Sequence, residues 1–142
     1  MKRIALFILL FAGLTSLVKA GNEWQLYSEK NGVKIYYKYS ECINKQEGTE
    51  KEYVLFKVIN TTDVNMIVEW ERRFWYDGKC KNCDSHSPEY HSKLELKAGE
   101  TLEGCCDLQS KRDLKICSRV LNFKDIPILT KFELENLSVN PK

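Results

Sequence analysis

Six cysteines (Cys42, Cys80, Cys83, Cys105, Cys106 and Cys117) and two histidines (His86 and His91) are the residues here whose types and spacing carry chemistry. An even cysteine count reads first as a framework of three disulfides. Cys105 and Cys106 are neighbours, so on a strand their side chains point to opposite faces and each bonds elsewhere. The Cys80–Cys83 group sits in an irregular stretch that can fold onto the strand carrying Cys105 and Cys106. A bridge between the two groups closes a loop of about 25 residues and contributes about 3 kcal/mol. Cys42 then pairs with Cys117.

Two sharper chemistries use the same residues. Cys80-x2-Cys83-x2-His86-x4-His91 offers sulfur and nitrogen ligands of the kind zinc takes in a tetrahedron. Against it, Cys83 and His86 stand closer than the halves of a zinc finger, and Ser85, Ser87 and Ser92 mark the histidines as surface residues. Cys80-Lys81-Asn82-Cys83 also has the spacing of a thiol–disulfide exchange pair, with Lys79 and Lys81 placed to favour a thiolate. Such pairs open a helix, and none follows here. Haem attachment fails because Asp84 occupies the histidine position of that motif. The expectation is a structural staple without a cofactor, with zinc binding or redox exchange as the alternative.

Trp70, Phe74, Trp75 and Tyr76 form an aromatic-rich stretch. Alternation turns Trp70 and Phe74 towards a core and Trp75 away from it. As a speculative ligand set, Trp70, Trp75 and Tyr76 suit a carbohydrate platform. As strand residues they simply pack, and Trp24, Tyr27, Tyr36 and Tyr39 read the same way. Glu69 and Glu71 share a strand face, which is the pattern of a solvated surface rather than of two carboxylates flanking a cleft. A serine triad lacks a histidine in a suitable setting. No catalytic residue is assigned, and the chain reads as a non-enzyme.

The elements that must position these residues are strands. Glu23–Ser28, the turn dipeptide Asn31-Gly32 and the alternating run Val33–Tyr39 form a hairpin. Glu52–Ile59 follows, with Val54, Phe56 and Val58 on one face, and Asn60–Asp63 is a turn by composition. A long strand carries Val64, Met66, Val68 and Trp70 on one face and Asn65, Glu69, Glu71 and Arg73 on the other. Lys93–Ala98, Thr101–Asp107, Asp113–Phe123 and Thr130–Val139 complete the set, and Pro127 keeps Asp125–Leu129 out of a central strand. Seven or eight short strands with no helical period predict an all-β, antiparallel two-sheet sandwich, stapled by disulfides.

Residues 1–20 read as a signal peptide: Lys2 and Arg3, then an apolar run from Ile4, then Val18-Lys19-Ala20 before Gly21. The run is too short to span a bilayer and is interrupted by Thr15 and Ser16. Its removal leaves one domain, residues 21–142, secreted or periplasmic. Lys2, Arg3 and Lys19 leave with it, which turns a formal charge of +2 into −1. Both signs are interspersed along the chain, so a nucleic-acid partner is not expected. Asn60-Thr61-Thr62 and Asn136-Leu137-Ser138 fit the glycosylation sequon.

The succession Glu52–Ile59, Asn60–Asp63, Val64–Tyr76 and Leu94-Glu95-Leu96-Lys97-Ala98-Gly99-Glu100-Thr101 resembles bacterial extracellular immunoglobulin-like modules. The resemblance covers about residues 52–139 and departs from the family pattern in its six cysteines. It implies an immunoglobulin-like sandwich that binds, spaces or presents. The expected function is a non-catalytic exported binding module whose partner is a protein or a glycan.

Overall fold

A computed structural model describes residues 22–142, and the signal-peptide reading lies outside them. The chain is all-β: β1 Gln25–Lys30, β2 Val33–Asn44, β3 Thr49–Asn60, β4 Met66–Tyr76, β5 Lys79–Cys80, β6 His91–Leu96, β7 Thr101–Glu103, β8 Lys115–Val120 and β9 Leu129–Pro141. Two 3-10 turns, Pro88–Tyr90 and Arg112–Leu114, precede β6 and β8. Every pairing is antiparallel, and the strands form two sheets. In sheet A the order is β1-β2-β3, with β7 and β8 in tandem along the far side of β3. In sheet B, β4 is central, with β9 on one side and β6 and β5 in tandem on the other. The one strand beyond the expected set is the short β5, too brief to leave a period in the sequence.

The period-2 pattern fixes which face is buried. Val33, Ile35, Val54, Phe56 and Val58 of sheet A meet Met66, Val68, Trp70, Leu94, Leu96, Leu134 and Val139 of sheet B in one core. Each such aliphatic or aromatic side chain contributes about 1.5–3 kcal/mol on burial. Asn31 and Gly32 make the β1–β2 turn with φ of 48° and 77°, the left-handed pair that a two-residue hairpin needs. A Cβ at Gly32 would stand 2.4 Å from Thr62 Cγ2, so close packing demands glycine there as well.

Asn60 ties that end of the sandwich together. It is fully buried, its Nδ2 donates to Val64 O and Lys97 O, and its Oδ1 accepts from Thr62 N and Oγ1. The first sequon therefore has no accessible acceptor nitrogen in the folded chain. Along one side, β1 closes the edge of β9 with side chains. Tyr27 Oη accepts from Leu134 N, Lys30 Nζ donates to Leu137 O, and Asn31 Nδ2 donates to Val139 O. These contacts cover backbone groups that would otherwise invite another strand.

The strand expected at Thr101–Asp107 stops at Glu103. At Gly104 the chain donates to Phe56 O and packs so tightly that a Cβ would lie 2.2 Å from Leu114 O. From there it leaves the sheet edge and reaches over the outer face of sheet A to β2, where Cys106 is bonded to Cys42. Leu55 faces away from the core yet is only 3% exposed, and we attribute this to the crossing segment.

Candidate functional site

The Cys80–Cys83 loop is a staple with a defined task. The two cysteines are bonded to each other, not to Cys105 or Cys106. Between them, Lys81 N donates to Phe74 O, and Asn82, 2% exposed, turns its carboxamide onto the edge of β4. Its Oδ1 accepts from Phe74 N at 3.2 Å and its Nδ2 donates to Arg72 O at 2.7 Å. The loop thus supplies the hydrogen bonds that β4 lacks between the ends of β6 and β5. The two histidines do not join it. His86 is exposed, while His91 lies on β6 with Nε2 3.3 Å from Glu69 Oε1. Among the described residues no three His, Cys, Asp or Glu side chains gather at one point.

The other bond joins Cys42 to Cys106, 64 residues apart, and corrects the expected pairing of Cys42 with Cys117. The correction has a simple cause: because β7 ends early, Cys105 and Cys106 ride on the crossing segment, which carries Cys106 to β2. Cys105 and Cys117 are free thiols, so the framework holds two bonds rather than three. Cys105 is exposed. Cys117 stands on β8 opposite Tyr53, half-buried, and burial raises its pKa despite the nearby Lys51 ammonium. From sheet B, Tyr76 Oη donates to Cys117 O at 2.6 Å. Burial, with a smaller contribution from Cys117, pushes the Tyr76 phenol up to about 12.

The aromatic stretch does not form a common platform. Trp70 is 1% exposed in the core, Tyr76 points inward with Phe74, and Trp75 is alone on the outer face of sheet B beneath Lys131. Arg72 shares the inward face, where alternation alone predicts an apolar residue. It is 5% exposed, and Nη1 and Nη2 donate to Arg112 O and Glu89 O. Burial lowers its pKa from the ordinary value, opposed by the Asp113 carboxylate. Its Nε, Trp70 Nε1 and Ser92 Oγ are buried without a protein partner. Arg73, on the opposite face, bonds Glu71, Glu135 and Ser85 O.

The two outer faces differ in a way the linear charge pattern conceals. On sheet B the charges are matched: Glu71 and Glu135 with Arg73, Glu69 with His91 and Lys93, Glu133 with Lys131, and Glu95 with Lys142. On sheet A, Lys34, Lys38, Lys51, Lys57 and Lys115 form no ion pair among the described residues. Three of them, Lys38, Lys57 and Lys115, lie against rings instead. Lys38 Nζ and Lys57 Nζ are each 4.6 Å from the centroid of Trp24. Lys57 is also 5.3 Å from Tyr36, and Lys115 is 5.5 Å from Tyr53. Sequence reading assigned Trp24 and Tyr36 to packing and left the lysines unremarked. Alternation places Tyr36 and Lys38 on one face, but only the β2–β3 register, which sets Tyr36 opposite Lys57, reveals the cluster.

No family model, no curated protein and no solved structure matches this chain.

Proposed function

We propose that this chain is an exported, non-catalytic binding module that meets its partner through the outer face of sheet A. The observation that carries the reading is the contrast between the faces: carboxylates pair with Arg73, His91, Lys93 and Lys131 on sheet B, whereas Lys38, Lys57 and Lys115 on sheet A lie over aromatic rings without an ion pair. An exposed ammonium over an aromatic face contributes only about 0.5–1 kcal/mol, so the cluster adds little stability for the solubility and specificity it commits. The amino-terminal signal and the disulfides support an oxidising, extracytoplasmic address.

The test is a binding isotherm of the disulfide-intact protein on a cell-envelope fraction of the source organism. The reading predicts saturable binding that weakens with salt and leaves the bound material chemically unchanged. Absence of saturable binding, or conversion of envelope material at a rate proportional to protein, contradicts it.

The exposure of Cys83 favours a second reading, in which the Cys80–Cys83 bond exchanges with external thiols. That reading predicts catalysed reduction of a test disulfide such as insulin, lost in Cys80→Ser. The staple reading predicts no rate above background.

A further inference from the structure

We infer that the outer face of sheet A binds an acidic polysaccharide, a chain of sugar rings bearing carboxylate or sulfate groups, with Trp24 as its stacking surface. This rests on the binding-module reading and adds the class of partner and the residues that hold it.

Trp24 precedes β1, and its indole lies over β2 and β3 with two ammonium groups against it. Lys38 and Lys57 are diagonal neighbours: Lys38 stands opposite Leu55 and Lys57 opposite Tyr36. Their Cα atoms are therefore about 7–8 Å apart, and both ammoniums converge on one ring. Two like charges drawn to a single indole repel each other, and among the described residues neither forms an ion pair, although Glu103 stands opposite Lys57 on β7. An anion held there relieves that repulsion. Trp24 is itself only half-buried, so part of its ring surface remains open to solvent. A sugar ring stacked on the indole carries its acidic substituent to the ammoniums beside it.

Two features select a polymer rather than a small anion. Lys34 stands opposite Ile59, four residues along β3 from Leu55, which faces Lys38, so Lys34, Lys57 and Lys38 extend over about 14 Å at strand rise before the crossing segment is met. The rings are interleaved with them, Tyr36 beside Lys57 and Tyr53 beside Lys115. The cations are all lysines. Arginine's planar fork is the group that matches phosphate oxygens two at a time, whereas lysine acts as a point charge. These features favour an acidic glycan over a nucleic acid.

The experiment measures binding of the disulfide-intact protein to heparin and polygalacturonate, with dextran, a single-stranded oligonucleotide and anionic phospholipid vesicles as comparison arms. The inference predicts salt-sensitive binding to at least one acidic polysaccharide, a change in Trp24 fluorescence in a Trp75→Phe background, and weaker or absent binding in the other arms. Trp24→Ala and the pair Lys38→Glu and Lys57→Glu should each weaken binding about tenfold or more. The pair Lys93→Glu and Lys131→Glu, on the other face, should leave it unchanged. Circular dichroism confirms that each variant is folded. Equal or tighter binding to dextran, oligonucleotide or vesicles overturns the inference, as does acidic-glycan binding indifferent to Trp24, Lys38 and Lys57. If no acidic polysaccharide binds while the envelope isotherm still saturates, this inference fails and the binding-module reading stands. If neither binds, both fail.

Discussion

The carboxamide of Asn82 takes the place of a strand residue beside Arg72: it donates to the Arg72 carbonyl and accepts from the amide of Phe74. Removing it leaves two backbone groups of β4 without partners at a buried site, and each unsatisfied group costs about 1–3 kcal/mol. Asn82→Ala is expected to lose about 2–4 kcal/mol in urea denaturation. Asn82→Asp should not rescue the loss, since a carboxylate cannot donate to Arg72 O.

The two disulfides should differ in worth because they close loops of very different length. Their sequence separations are 64 for Cys42–Cys106 and 3 for Cys80–Cys83. Loop entropy gives about 4 kcal/mol for the long loop and about 2 kcal/mol for the short one. Paired Cys→Ser variants compared by denaturant midpoint should follow that order. The opposite order would mean that the short bond acts mainly by holding Asn82 in place.

Native protein should contain two thiols of unequal reactivity. Cys105 is exposed, whereas Cys117 is half-buried with its pKa raised, so at a given pH less of it is thiolate. Alkylation near pH 8 followed by peptide mapping should label Cys105 well before Cys117. Intact mass should lie about 4 Da below the fully reduced value, two hydrogens for each of two bonds.

Tyr76 provides a reporter of sheet-to-sheet packing. Its folded pKa is about 12 against an ordinary 10.0. A phenol raised on folding leaves stability intact below pH 10, and the stability falls as pH rises through 12, because the unfolded chain releases its proton first. Ultraviolet titration should show a late phenol that disappears in Tyr76→Phe. That variant should also lose part of the alkaline decline in stability.

Ser92 tests the cost of an unpartnered hydroxyl. Its Oγ is buried with no hydrogen bond, so Ser92→Ala removes a desolvated group and forfeits no protein contact. Stability is expected to stay within about 0.5 kcal/mol or rise. A loss of several kcal/mol would show that Oγ is bonded in solution.

What alternation could report, it reported. Val33, Ile35, Val54, Phe56, Val58, Met66, Val68 and Trp70 face the core as their period demands, and Asn31-Gly32 turns the first hairpin. The pairing of cysteines was not legible, because it depends on where a strand ends. Gly104 takes the chain off the edge of β3, and a lone glycine within Thr101–Asp107 marks a break in the strand without showing where the chain goes next. Arg72 broke the pattern for a related reason: its partners are carbonyls in two distant turns, at Glu89 and Arg112. The Trp24 cluster draws on three separate segments, so no local window contains it.

The most direct measurement of the central claim is lysine acetylation, mapped by mass spectrometry, with and without envelope material at saturating concentration. The account predicts protection of Lys38 and Lys57 on sheet A and unchanged rates at Lys93 and Lys131 on sheet B. Equal protection on both faces, or protection confined to sheet B, would contradict it.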